Sequence, residues 1–213
     1  MFNIEGVMKF YRKTILFFFP CLFLILAVLM GMDNYDLLIQ KRSVAFTYSQ
    51  NLRQGRVGYG NQNVINNKID LAELEPGDIL LGGWPGCAYG RFSHAGLYLG
   101  NHKVLESYIE TGVTINNVAH FRDYTRACII RVKTDNQTRQ RAIRYALKQR
   151  GKVFYPVSFK TDERYWNCTK IIWKSYQQQG INLDSGNDLW IPPDAFYRSP
   201  HVNIIAVKGG ALN

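Results

Sequence analysis

The first pattern along the chain is the absence of any alternation. Residues 14–32, TILFFFPCLFLILAVLMGM, carry no charge and are apolar all round. At ~1.5 Å rise per residue a helix of this length crosses a ~30 Å hydrocarbon core, whereas a soluble surface helix keeps a polar face. From 33 to 70 the pattern is weak and Asn, Gln, Ser and Gly are frequent, so a stem is expected there, with a short helix over 35–42. The pattern sharpens at residue 71. LAELEPGDILLGG holds a Pro-Gly turn and then the apolar run 79–81, a strand. SHAGLYL and KVLESYI are two more strand-like runs, and Gly100-Asn101-His102 between them predicts a hairpin with a three-residue loop. GVTINNV and ACIIRV read as further strands.

Helical spacing follows. Ala142, Tyr145, Ala146 and Gln149 share one face and predict a helix over 138–149, stopped by Gly151. CTKIIWKSYQQQ predicts a second helix over 168–179, ended by Gly180, with Ile172, Trp173, Tyr176 and Ile181 buried. IPPDAFYRSP is turn-rich, and VNIIAV closes the chain as a strand. Strands come first and helices after them, without alternation. That order predicts an α+β fold with an antiparallel sheet.

The hairpin carries a second expectation. Pairing its apolar positions sets Leu99 opposite Lys103, Leu97 opposite Leu105 and Ala95 opposite Ser107. The other face then has Gly96 across from Glu106 and His94 diagonal to it, within reach of long side chains. A carboxylate behind an imidazole fixes its tautomer and directs the other ring nitrogen at a third group. Cys168 opens the second predicted helix, where unpaired amides and the positive dipole end favour a thiolate. A thiol, an imidazole and an orienting carboxylate make a nucleophile at neutral pH. Each residue also has a purely structural reading: Cys168 as a small core residue under Trp173, Glu106 as a surface strand residue. Spacing alone does not choose between them.

Composition narrows the class. The chain has 213 residues, 46% of them hydrophobic and 14% aromatic, enough for one domain with a full core plus an extra segment. A charged fraction of 20% fits neither general disorder nor a repeat. The net charge is +10 and the pI about 9.5, which permits an anionic surface as neighbour. The densest basic group, Arg139, Arg141, Arg144, Lys148, Arg150 and Lys152, lies along one predicted helix and just past it, a solvated face. No nucleic-acid motif accompanies it, so no nucleic-acid partner is expected.

Lys9, Arg12 and Lys13 precede the apolar run, and Asp33 and Asp36 follow it. The positive-inside rule puts the N-terminus in the cytoplasm and the bulk of the chain across the membrane. The run is longer than the ~7–15 residues of a signal h-region and no clean small-x-small site follows. A retained single-pass anchor is therefore expected, with secretion after cleavage as the alternative. The organisation reads as a cytoplasmic N-terminus (1–13), an anchor or signal segment (14–32), a stem (33–70) and a folded domain (71–213).

Four cysteines remain to be placed. Cys21 lies in the apolar run. In an oxidising compartment Cys87 and Cys128 could pair and leave Cys168 over. A zinc site from these cysteines and a histidine lacks any close-spaced ligand pair, so no metal is expected. His102 sits at the hairpin tip, and His120 and His201 have no partner by spacing. Trp84, Tyr89 and Phe92 flank the Gly-rich loop WPGCAYGR, lining a groove or packing the core.

GDILLGG, FSHAGLYLG, VLESY, YWNCTKIIWKSY and PPDAFYRSP, in this order across 71–207, resemble the permuted papain-like amidases, the YiiX/YaeF-like branch of the NlpC superfamily of cysteine hydrolases. The resemblance implies a papain-like core circularly permuted so that His precedes Cys, with an antiparallel sheet or small barrel packed on helices. It implies Cys168 as nucleophile, His94 as general base and acid, Glu106 as orienting residue, Tyr155 and Asn167 as oxyanion or substrate contacts, and no cofactor. Two departures stand out: Cys168-Thr169-Lys170 where the family has Cys-Ser-Glu, and Pro156 where an acidic residue often follows the tyrosine. The implied substrate carries an amide or ester bond. Placement across a membrane makes a peptidoglycan peptide the natural guess. A lipid-directed thioesterase or acyltransferase, and an inactive anchored binding module, are the alternatives.

Overall fold

The computed structural model describes residues 4–35, 43–62, 66–156, 158–186 and 188–209. Two compact units result, 1–41 and 42–213. The first is one helix, α1 (Ile4–Asp33), whose stretch Thr14–Asp33 is long and apolar enough to cross a membrane. The helix expected over 35–42 falls almost wholly outside the described residues.

The second unit starts earlier than the sequence pattern suggests. Helix α2 (Val44–Arg53) lies inside the segment expected as a stem. Ser43 caps it, accepting from the Phe46 amide at 3.0 Å. The Val44 amide donates to Asp188 Oδ2 at 2.6 Å and Asn51 Nδ2 to the Ala88 carbonyl at 3.0 Å. Backbone bonds from Ala88 to Gly58 and from Asn61 to Pro85 tie the rest of the segment to the Gly-rich loop. The polar residues that resemble a linker are thus partners for loop backbone that would otherwise be unpaired.

Six strands follow: β1 (Ile79–Gly83), β2 (His94–Gly100), β3 (Lys103–Tyr108), β4 (Gly112–Asn117), β5 (Arg126–Val132) and β6 (Val202–Lys208). They form one antiparallel sheet in the order β4-β3-β2-β1-β5-β6. A 3-10 turn, Val118–Arg122, links β4 to β5. Helices α3 (Asn136–Leu147), α4 (Cys168–Gln177) and α5 (Pro193–Tyr197) follow β5. The short α5 forms where only turns are expected, because Pro193 presets the dihedral of a first helical residue.

Both sheet faces are covered, so alternate strand residues enter two cores. Leu81, Leu97, Leu105 and Ile130 pack with Ile171, Ile172 and Tyr176 of α4. Leu80, Val104 and Ile129 pack with Phe121 and Tyr124 on the other face. The hairpin keeps the expected pair Leu97–Leu105, but Leu99 does not face Lys103. Gly100 does, across a bulge between Tyr98 and Gly100. Asn101 (φ 51) and His102 (φ 58) form a two-residue turn instead of the three-residue loop, with the dihedrals that suit a hairpin's twist, and the bulge absorbs the odd residue.

The turn before β1 is pinned by charge. Asp78 is fully buried; its Oδ2 accepts from the Glu75 amide at 2.8 Å, and Arg131 Nε and Nη2 donate to its two oxygens at 2.8 Å each. Tyr176 of α4 donates to the Gly77 carbonyl at 2.6 Å. Arg131 also holds Glu75 Oε1 at 2.6 Å, so losing Asp78 strands hydrogen-bond donors and leaves the cation a partner. Asp78→Ala should therefore cost about 1–3 kcal/mol, read as a lowered urea midpoint with an unchanged slope.

Candidate active site

His94 is the first residue of β2, opposite Gly82 of β1. Its approach is held rigidly: Asp194 of α5 accepts from the Arg91 amide at 3.1 Å and the Phe92 amide at 2.8 Å. The Ser93 amide donates to the Gly82 carbonyl at 2.8 Å. The ring stacks on Tyr108, centroids 4.4 Å apart. Glu106 of β3 lies on the same face, with 0% of its surface exposed. A Cβ on Gly96 would stand 2.6 Å from Val104 Cγ2, 3.0 Å from Phe121 Cζ and 3.1 Å from Glu106 Cγ, so a larger residue there would press on the Glu106 stem and its packing.

Four donors meet this carboxylate. Oε1 accepts from His94 Nε2 at 2.8 Å and Tyr108 Oη at 3.0 Å. Oε2 accepts from Asn116 Nδ2 at 3.1 Å and His120 Nε2 at 2.9 Å. Burial alone would raise the carboxyl pKa, but the hydrogen bonds and charges of His120 and His94 draw it down to about 2. His120 has no sequence spacing that points to Glu106. The 3-10 turn after β4 delivers it, a correction to its dismissal as partnerless.

Cys168 opens α4, which packs on β2 and β3. Its thiol is an electrostatic neighbour of the His94 imidazole. With Nε2 committed to Glu106, Nδ1 is the nitrogen left for the sulfur. Burial alone would lower the imidazole pKa; the electronegative groups Tyr124, Cys168 and Glu106 around the ring outweigh it and hold it well above 6.5. All four cysteines are free, so Cys87 and Cys128 do not pair in this structure. Burial pushes their thiols up to about 11 and about 12, the range of inert core residues.

Asn167 caps α4: its Oδ1 accepts from the Lys170 amide at 2.8 Å and Thr169 Oγ1 at 3.1 Å, and its Nδ2 donates to the Pro156 carbonyl. Its side chain therefore builds the helix start. Tyr155 is not brought to the site. It is 49% exposed with its ring against Tyr165, and the cleft is lined instead by its neighbours Phe154 and Pro156. Alternation along the extended segment that bridges Phe154 to Trp166 explains the swap. Lys170, one of the departures, is 1% exposed and spans Ser158 Oγ at 2.9 Å, the Tyr165 carbonyl at 2.9 Å and the Asp162 carbonyl. It clamps the loop beside the cleft, and burial lowers its pKa.

Cys168 lines a cleft of about 600 Å³ whose lining is mostly apolar. Tyr48 and Leu52 of α2 form part of it, with Tyr59, Tyr89, Phe154 and Trp190. Burial first, and then the charge at Cys168, raises the Tyr59 phenol, which sets this residue of the supposed stem near the sulfur. Of the aromatic residues flanking the Gly-rich loop, Tyr89 enters the cleft, Phe92 packs in the core against Tyr197, and Trp84 stacks on Tyr124.

The sequence profile of the permuted papain-like amidase enzymes, YaeF/YiiX, C92 family, matches residues 64–190. Among solved structures, that of the metalloprotein yiiX from Escherichia coli O157:H7 superposes with a TM-score of 0.53 at 17% identity, over 64% of this chain and 98% of that one. No curated protein matches. Among the described residues of this chain no group of three His, Cys, Asp or Glu is arranged to hold a metal ion; both imidazoles spend Nε2 on the Glu106 oxygens.

The two shifts set the pH dependence of stability. The raised His94 value contributes stability that is full below pH 6.5 and lost as pH climbs through the folded value. The lowered Glu106 value contributes stability present above pH 4.5 and lost as pH falls toward about 2. Melting temperature measured against pH should fall on both sides of that interval, and Glu106→Gln should flatten both slopes.

Proposed function

The chain belongs to the permuted papain-like amidase family, and on that premise we propose that it is a cysteine hydrolase worked by Cys168, His94 and Glu106. The observation that carries the proposal is the imidazole held between a carboxylate on Nε2 and a helix-terminal thiol. His94 Nδ1 takes the Cys168 proton. The thiolate attacks a carbonyl carbon, and the first-turn amides of Cys168 and Thr169 are available to the oxyanion, since Asn167 takes only the Lys170 amide. Nδ1–H then protonates the leaving amine or alcohol as its bond to the carbonyl carbon breaks, which leaves an acyl thioester on Cys168. Water, deprotonated by the same nitrogen, releases the acid and restores the thiol. A free Cys168 at the cleft speaks against the inactive binding module. Helix α1 would serve as the anchor, with the hydrolase unit on the extracytoplasmic side and secretion after cleavage as the alternative.

For the substrate, placement across a membrane keeps the peptidoglycan peptide in view, but the apolar cleft favours the lipid-directed reading. A polar peptide would lose water there without replacement partners, whereas an acyl chain would bury methylenes against Tyr48, Leu52 and Trp190.

Two experiments follow. In the full chain in detergent, Cys168 should be alkylated by iodoacetamide faster than Cys87 or Cys128, and His94→Ala should slow it by roughly tenfold or more. A thiol indifferent to His94 would sink the hydrolase reading. Across a thioester series from acetyl to palmitoyl, kcat/KM should rise up to about fourfold per buried methylene, and Leu52→Ala should blunt the rise. A flat profile, with cleavage of peptidoglycan peptides instead, would return the substrate to the cell wall.

A further inference from the structure

Two imidazoles share one buried carboxylate, and the mechanism above uses only one of them. We propose that His120 is a positioning residue that keeps Glu106 ionised and turned toward His94, so that the neutral His94 ring carries its proton on Nε2 and leaves Nδ1 open to Cys168. The groups around this carboxylate come from every neighbouring element: His94 from β2, Tyr108 from β3, Asn116 from β4, Tyr124 after the 3-10 turn and His120 from it. Cys168 of α4 is a further electrostatic neighbour of His94.

The argument turns on what a fully buried carboxylate does when its donors are too few: it takes up a proton. A protonated Glu106 would donate to His94 Nε2 and force the ring proton onto Nδ1, facing the sulfur. That tautomer cannot accept a proton from the thiol or from water. Tyr108 shares Oε1 with His94, and Asn116 alone would be left on Oε2. His120 supplies the second, shorter hydrogen bond to Oε2, at 2.9 Å, from a ring that is 29% exposed. Its contact is the largest of those that hold Glu106 ionised against burial. Its placement is built: Asn117 caps the turn, accepting from the Ala119 amide at 2.9 Å, and the ring rests on Phe121 at 4.7 Å.

The test compares His120→Gln, whose amide reaches the same oxygen, with His120→Asn, whose amide is too short. Both are polar substitutions at a partly open position, so both should fold. The readout is the titration of the His94 ring by NMR in the full chain in detergent, alongside Cys168 alkylation against pH. His120→Asn should move the His94 titration down by about one pH unit, a tenfold change in its equilibrium, and carry the alkaline limb of alkylation with it. His120→Gln should restore most of the shift. A His94 titration unchanged in both variants, or displaced equally in both, overturns the proposal. The role in turnover rests on the hydrolase reading, but the titration does not: if alkylation ignores His94, that reading falls and the NMR result still decides what His120 does.

Discussion

A carboxylate taken wholly out of water has to be surrounded by donors, and much of the functional half of this fold answers that demand at Glu106. Strand β3 supplies the residue and Tyr108, β2 supplies His94, β4 supplies Asn116, and the 3-10 turn supplies His120. The antiparallel order β4-β3-β2 sets these side chains side by side. Gly96 leaves the space that Val104, Phe121 and the Glu106 stem fill. Glu106 fixes one nitrogen of His94, and the other is thereby committed to the start of α4.

The surroundings of Cys168 are organised from a different direction. Asn167 ends the extended segment and begins the helix, while Lys170, one turn in, holds three oxygens of the loop 158–165. A buried ammonium with three such acceptors is a stable arrangement, since hydrogen bonds to a charged group are about twice as strong as neutral ones. The departure from the family's Cys-Ser-Glu is absorbed there as local architecture, away from the sulfur's reactive side.

Elements with strong periodicity were legible in the sequence: the strands at 79–83, 94–100 and 103–108 and both long helices fall within a few residues of their predicted places. The pairing of Leu97 with Leu105, and the carboxylate it brings to His94, followed from matching apolar residues. What escaped had no periodic signal. His120 reaches Glu106 through an aperiodic turn, α2 is too polar to stand out, and Tyr155 was displaced from the cleft by the simple alternation of a segment that reads as loop. The turn geometry at Asn101 and His102 was missed because a bulge and a longer loop leave the same sequence trace.

One wall of the cleft comes from residues that lie upstream of the family-matched region, at 44, 45, 48, 49, 52 and 59. The proposed trio of Cys168, His94 and Glu106 and this wall of the cleft therefore have separate origins in the chain. A fragment trimmed to begin at residue 64 would lose that wall together with the partners of the Gly-rich loop at Pro85 and Ala88, and whatever it bound would report on a different cleft.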